Sequence, residues 1–334
     1  MSSQFGSGPD RISRRAMLGA AATLAAAPAL AQECRFEPAP HPKGPLVFMN
    51  YDQVELDAAY ENSVYEPNLP QISRRLASLS DAVRGRIGEP QRVAYGPTDI
   101  EKLDIYNTRA ARAPIFVFIH GGTWRTGSSR RNGYPAELFI DRGAHYVALD
   151  FTNVIDAGGD LRVMADQVRR GIAWVYRNAE SFGGDPNRLF IGGHSSGGHL
   201  CGVALVTDWQ KDFGLPADTI KGGLCMSGLY DLKPVRLSWR SSYVKFDDAM
   251  EHAMSPIRHL HMIRAAVTVS YGTFETPEFQ RQSRDFAAAL KQAGHNATLI
   301  AMPDFAHLEA QESLSNPYSP NGRAAIEMMG LGRA

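Results

Sequence analysis

From residue 91 onward two hydrophobic periods alternate along the chain. Short runs of β-branched and aromatic residues, RVAYG, EKLDIYN, PIFVFIHGG, HYVALDF, RLFIGGH, IKGGLCMSG, AAVTVSYG and ATLIAMPD, read as strands. Longer amphipathic stretches separate the later ones. Asp160 to Ser181 sets Leu161, Met164, Ala165, Val168, Ile172, Val175, Tyr176 and Ala179 at helical spacing and stops at Gly183-Gly184, which predicts one helix turning a single apolar stripe to a sheet. Thr276-Pro277-Glu278 supplies a cap, a proline at the first helical position and a first-turn acid; Phe279, Phe286, Leu290 and the closing Gly294 complete a second helix. Strands alternating with helices predict an α/β fold with a mainly parallel sheet and helices on both faces.

The chain ahead of this pattern differs. Residues 32–90 are rich in Pro, Tyr and Asn, with helical periodicity only in their second half, LPQISRRLASLSDAVRGRI. They predict an N-terminal extension or cap over a catalytic domain spanning 91–334. Residues 1–31 read as a signal peptide: Ser13-Arg14-Arg15-Ala16-Met17-Leu18 opens the apolar run GAAATLAAAPALA, which ends in the cleavage-type Ala29-Leu30-Ala31. The paired arginines predict the twin-arginine export machinery as a partner, and a periplasmic or secreted mature chain from near Gln32. Gly19 to Ala31 is too short to span a bilayer stably, so no membrane anchor is expected.

Composition removes several function classes. Lys plus Arg and Asp plus Glu balance at 35 each, so no net field draws the chain to nucleic acid or an anionic membrane. Cys34, Cys201 and Cys225 form no C-x-x-C pair and are too few for a disulfide scaffold or zinc site; they read as buried small hydrophobes, with a bridge from Cys34 left open. No G-x-G-x-x-G, G-x-x-x-x-G-K-[ST] or H-E-x-x-H occurs, so neither cofactor nor metal is expected. The acids and histidines Asp247, Asp248, Glu251, His252, His259 and His261 read as ordinary packing and solvation. Assembly is not legible, a homodimer staying open.

Chemistry concentrates elsewhere. Gly193-His194-Ser195-Ser196-Gly197 fits G-x-S-x-G between a strand, Leu189 to Ile191, and a helix from about Gly198, the context of a nucleophile on a strained turn. A serine hydroxyl needs a base, and His307 lies in the loop beyond the last apolar run, Thr298 to Met302. The base needs an orienting carboxylate. Glu275, three residues past Gly272 at the end of the preceding strand, gives the chain order nucleophile, acid, base; Glu278 and Asp304 compete for the role. His120-Gly121-Gly122-Thr123-Trp124 follows the strand Ile115 to Ile119 and reads as an oxyanion loop, with donors at the N–H groups of Gly122, Thr123 and Ser196, and Gly121 an alternative. His120 reads as a brace for that loop. Trp124, His194 and Trp239 are candidates for the substrate pocket.

HGGTW, GHSSG, the glutamate in GTFETPEFQRQS and the late His307 together resemble the α/β-hydrolase fold, in its branch of carboxylesterases and arylformamidases that carry an H-G-G-x-W loop. The likeness runs from roughly Tyr51 to the C-terminus and takes in MSGLYDLKPV and MSPIRHL. It implies a serine hydrolase with Ser195 as nucleophile, Glu275 as acid and His307 as base, and it places Tyr230 to Pro256 where such hydrolases insert a lid. The sequence departs from the pattern at Thr123, where many lipase-type relatives carry a third glycine, and in using glutamate where aspartate is commoner. The implied activity is hydrolysis of small carboxylic esters through an acyl-enzyme. Arylformamidase-like cleavage of an N-formyl aromatic amide, of the N-formylkynurenine type, is the alternative; export counts against it, because such catabolism is expected inside the cell. A silent binding scaffold fits less well, since all three triad members stand in order.

Overall fold

β5 (Ala113–Ile119) is apolar at every position and buried along its whole length, which only a strand covered on both faces can be. In the computed structural model, which describes residues 36–332, its side chains alternate between two cores: Ile115, Val117 and Ile119 face one, Phe116 and Phe118 the other. The twin-arginine segment, the apolar run after it and Cys34 lie outside the described residues. A short ribbon, β1 (Leu46–Phe48) with β2 (Tyr51–Asp52), precedes the main sheet. The sheet itself adds β3 (Gln91–Ala94), β4 (Lys102–Tyr106), β6 (His145–Leu149), β7 (Gly184–His194), β8 (Gly222–Met226), β9 (Ala266–Gly272) and β10 (Ala297–Met302). Its order is β10-β9-β8-β7-β5-β6-β4-β3. The pairs on either side of β4 are antiparallel and all others parallel.

The register gathers the chemistry at one edge. Ile119 pairs with Gly193 and His194 with Met226, so the segments leaving β5, β7 and β8 emerge together. Met302 pairs with Gly272, which brings out the segments after β9 and β10 alongside. From β5 the chain moves to β6 on one side, and it returns to β7 on the other. The β5/β7 seam is therefore the switch point, where open α/β sheets form a crevice.

The helices start and stop where local chemistry directs. Leu161–Asn178 is capped by the Asp160 carboxylate, continues as a tight turn over Ala179–Phe182, and is closed by Gly183 at φ 87°. Pro277–Gln292 takes its cap from the Thr276 hydroxyl and buries Phe279, Phe286 and Leu290. The extension supplies Leu69–Ile87, buried through Ile72, Leu76 and Val83, and its Leu56 and Tyr60 belong to the main core. The extension and the sheet domain thus share one core. The helix after β7 begins at Ser196, two residues earlier than the glycine pattern predicts. His307 also differs from expectation: it opens the short helix His307–Glu312 rather than sitting in a loop. Among the described residues, no helix is long and apolar enough to cross a membrane.

Candidate active site

Ser195 sits at φ 58° and ψ −125°, a conformation that costs a non-glycine residue on the order of 1–3 kcal/mol. The turn folds so tightly that a Cβ on Gly193 would lie 2.2 Å from the Gly197 carbonyl oxygen, and one on Gly197 would lie 2.1 Å from that of Ile119. The bond from Ser195 N to Met226 O, 2.9 Å, pins the strained residue to β8.

Three side chains from three strand ends meet there. His307 Nε2 lies 2.8 Å from Ser195 Oγ, and His307 Nδ1 lies 3.1 Å from Glu275 Oε2. With Nδ1–H donating to the carboxylate, Nε2 is the nitrogen free to accept the hydroxyl proton. The other carboxylate oxygen accepts from Ser227 Oγ at 2.5 Å and from Gly272 N at 2.7 Å. All three groups are buried. Burial pushes the Glu275 carboxyl up, to about 7, against the pull of its Ser227 and Gly272 donors. It pushes the His307 imidazole down, to about 3, with the Arg240 charge acting in the same direction. A neutral imidazole is the form that can act as base. The competing acids are engaged elsewhere: Glu278 pairs with Arg281 at 2.7 Å and accepts from Tyr60 Oη at 2.8 Å, while Asp304 is exposed.

The HGGTW segment turns through three successive positive φ values, 116° at Gly122, 57° at Thr123 and 61° at Trp124. Thr123 Oγ1 donates to Gly122 O at 2.7 Å, giving the strained residue a local bond. Trp124 N donates to Ser196 Oγ at 3.1 Å, which ties the loop to the nucleophile turn. A Cβ on Gly121 would lie 2.6 Å from His194 O and 3.0 Å from Ser195 Cβ, so only glycine lets this backbone touch the elbow. Among the described residues, the N–H groups of Gly121, Gly122, Thr123 and Ser196 donate to nothing. His120 braces the loop by donating from Nδ1 to Gly121 O at 2.9 Å and stacking on Phe151.

Residues 103–223 match the BD-FAE family model. Kynurenine formamidase from Danio rerio is 29% identical over 295 residues, covering 84% of this chain and 97% of that protein. Esterase LipQ from Mycobacterium tuberculosis is 27% identical over 250 residues, 68% of this chain and 56% of that protein. Among solved structures, the metagenomic carboxylesterase EstE1 superposes with a TM-score of 0.64 at 18% identity, over 80% of this chain and 98% of its own. Esterase Est2 from Thermogutta terrifontis gives 0.57 at 20% identity, over 73% and 91%. The chain has the α/β-hydrolase fold. Its relatives place it among hydrolases of ester or amide bonds.

Several parts of this α/β-hydrolase site carry no signature in the sequence. Glu66, from the extension, accepts from Leu308 N with both carboxylate oxygens, at 3.0 and 3.2 Å, and so holds the first turn of the helix that His307 opens. Burial raises its carboxyl to about 7 despite those bonds. Ser227 is a second ligand on Glu275 from 48 residues away. His194 lies behind His307: its Nε2 is 2.9 Å from His307 O and its ring centroid 4.4 Å from that of His307, so it supports the imidazole. Trp124 is buried with its indole N–H donating to His199 Nδ1 at 3.2 Å. Trp239 is half-buried and held by a bond from its N to Asp57 Oδ1 at 2.6 Å. One group of metal-ligand type occurs among the described residues, His41, Asp52 and Glu55, where β2 leads into the helix Gln53–Ala59. Its carboxylates are already used, Asp52 as a helix cap and Glu55 by Lys43.

Proposed function

We propose that this α/β-hydrolase is a serine hydrolase cleaving small carboxylic esters through an acyl-enzyme. The observation that carries the reading is the unbroken contact chain from Ser195 Oγ through His307 to Glu275. Ser195 Oγ attacks the carbonyl carbon while His307 Nε2 takes its proton. The oxygen of the tetrahedral intermediate receives the N–H groups of Gly122, Thr123 and Ser196, or of Gly121 in place of one loop donor; each such donor lowers the barrier by roughly 3 kcal/mol. His307 then protonates the leaving alcohol. Water repeats the sequence on the acyl-enzyme, with Glu275 holding the imidazole and stabilising its charged form in both halves.

A second reading, cleavage of an N-formyl aromatic amide, is supported by the likeness to kynurenine formamidase over 97% of that protein's length. The same four groups serve it, with an amine as leaving group. A panel of para-nitrophenyl acyl esters and N-formylkynurenine, assayed beside labelling by a fluorophosphonate probe, separates the readings. The ester reading expects labelling at Ser195 and faster turnover of short acyl esters. Faster turnover of the formamide assigns the enzyme to that class instead, and absence of labelling points to a silent scaffold.

The proposal includes export through the twin-arginine route, supported by Arg14-Arg15 and the apolar run after them. Cell fractionation is expected to find the enzyme outside the cytoplasm, and the double substitution Arg14→Lys, Arg15→Lys inside it. An unchanged distribution rejects the route.

A further inference from the structure

Among the described residues two arginines are buried, Arg84 and Arg240. Arg84 has the Asp81 carboxylate as its partner. Arg240, only 1% exposed, forms no ion pair: Nη1 donates to Tyr243 Oη at 3.2 Å, Nη2 to Tyr60 O at 2.9 Å, and the buried Nε–H donates to nothing. The unused edge is informative. Arg75, Arg86 and Arg281 each grip a carboxylate through Nε and Nη2 together, on Glu312, Glu137 and Glu278. In Arg240 the same edge has a bare Nε–H beside an Nη2 that carries two hydrogens and gives one to Tyr60.

The surroundings link this guanidinium to the reactive groups through Phe279. Its Cζ lies 5.6 Å from the ring of Trp124, which ends the oxyanion loop, and 6.0 Å from that of Phe279. The Phe279 ring in turn packs edge-on against His307 at 4.7 Å. Trp239 and Tyr60 complete the enclosure at 5.6 and 6.0 Å. Aromatic faces attract the positive charge but offer Nε only weak N–H···π contacts, and a buried charge without a counter-ion is costly to keep. A second guanidinium without a carboxylate partner, that of the exposed Arg125, lies over Tyr243 at 4.6 Å and Trp239 at 5.4 Å. Two positive charges thus converge on one pair of rings, and after burial the Arg240 charge is what holds the His307 imidazole down.

We propose that Arg240 is a substrate-binding residue whose Nε edge receives a carboxylate, so that the preferred substrates are esters or amides bearing a carboxylate near the scissile bond. This rests on the serine-hydrolase reading. A planar guanidinium fork matches a carboxylate at two points, and the enclosing rings exclude the water that would weaken the contact. Arg125, at the rim, adds attraction for the approaching anion. The rival role is structural, with Arg240 only tying the extension at Tyr60 to the 239–243 segment.

Two matched pairs test it: para-nitrophenyl hydrogen glutarate against its methyl ester, with the charge on the acyl side, and meta-acetoxybenzoate against its methyl ester, with the charge on the leaving group. The wild-type enzyme is expected to favour the anion in at least one pair by about 10- to 100-fold in kcat/KM, the worth of one charge-assisted contact. Arg240→Gln should bring that ratio toward one. A purely structural arginine would lower both members of a pair alike and leave the ratio where it was. If Arg240→Gln does not fold, the wild type decides alone: the preference, together with competitive inhibition of neutral-ester turnover by glutarate or benzoate, supports the site, and the absence of both overturns it. Fluorophosphonate labelling keeps the two readings apart. Were Ser195 unlabelled, the hydrolase reading would fall, and thermal protection of the wild type by those carboxylates, present or absent, would still decide the anion site.

Discussion

Ser195→Ala is expected to lower kcat on a short-acyl para-nitrophenyl ester by roughly 10⁵–10⁶-fold while leaving the melting temperature close to that of the wild type. Nucleophilic catalysis is lost because the neighbouring hydroxyl does not take its place. Ser196, the adjacent residue, is turned to the loop after β5, where its Oγ accepts from Trp124 N. The structural loss is small. Among the described residues, Ser195 Oγ has one bond, to His307 Nε2, while the strained backbone is held from outside by Met226 O and by the contacts around Gly193 and Gly197. A residual rate above that in water should survive, because the backbone donors of residues 121–123 and 196 remain in place to stabilise an oxyanion formed by direct attack of water. Steady-state kinetics with a thermal melt on the same preparation checks both halves. Turnover within tenfold of the wild type would put the nucleophile elsewhere, and a collapsed melt would make Ser195 a folding residue.

How far such a site can be read from residues alone depends on whether its contacts are local. The elbow turn, the Thr276–Pro277 helix start and the helix Leu69–Ile87 are encoded by neighbours in sequence, and the structure follows their pattern closely. The choice among Glu275, Glu278 and Asp304 stays open in the sequence. It had a local clue all the same, because Arg281 stands three residues after Glu278, at the spacing of an ion pair on one helix face. The remaining parts are made by residues far apart. Glu66 reaches Leu308 across 242 positions, His194 reaches His307 across 113, and the Cys201 and Cys225 thiols meet at 3.7 Å between the elbow helix and β8. No periodicity or motif records such meetings, and they account for the differences from expectation. His307 starts a helix because Glu66 accepts the Leu308 N–H of its first turn and Glu309 reaches back to the N–H of the capping residue Ala306. His194 supports the imidazole because the elbow aims its ring at the segment after β10.

The same dependence on close approach makes Gly197→Ala a severe change, although it adds a single methyl group. Its Cβ would fall 2.1 Å from Ile119 O and 2.5 Å from His120 O, and both are backbone atoms, Ile119 being held by its pairing with Gly193 in the centre of the sheet. No side chain can rotate away to relieve the overlap. Either the elbow helix lifts, carrying the Ser196 N–H with it, or the end of β5 shifts with the oxyanion loop; in both cases the nucleophile and its donors separate. Overpacking of this kind costs about 1–3 kcal/mol of stability, and a misplacement near 1 Å costs about 10²-fold in rate. The expected result is therefore a melting temperature lowered by several degrees and kcat/KM lowered by about 10²-fold or more. Gly85→Ala supplies the control: that glycine lies within the helix Leu69–Ile87 with nothing inside 4 Å of the added methyl, so alanine should hold or raise the melting temperature through helix propensity. If Gly197→Ala kept wild-type kinetics and melting while Gly85→Ala behaved as stated, the β5 end and the elbow would not be in contact, and the shared donor set built from them would fall with that contact.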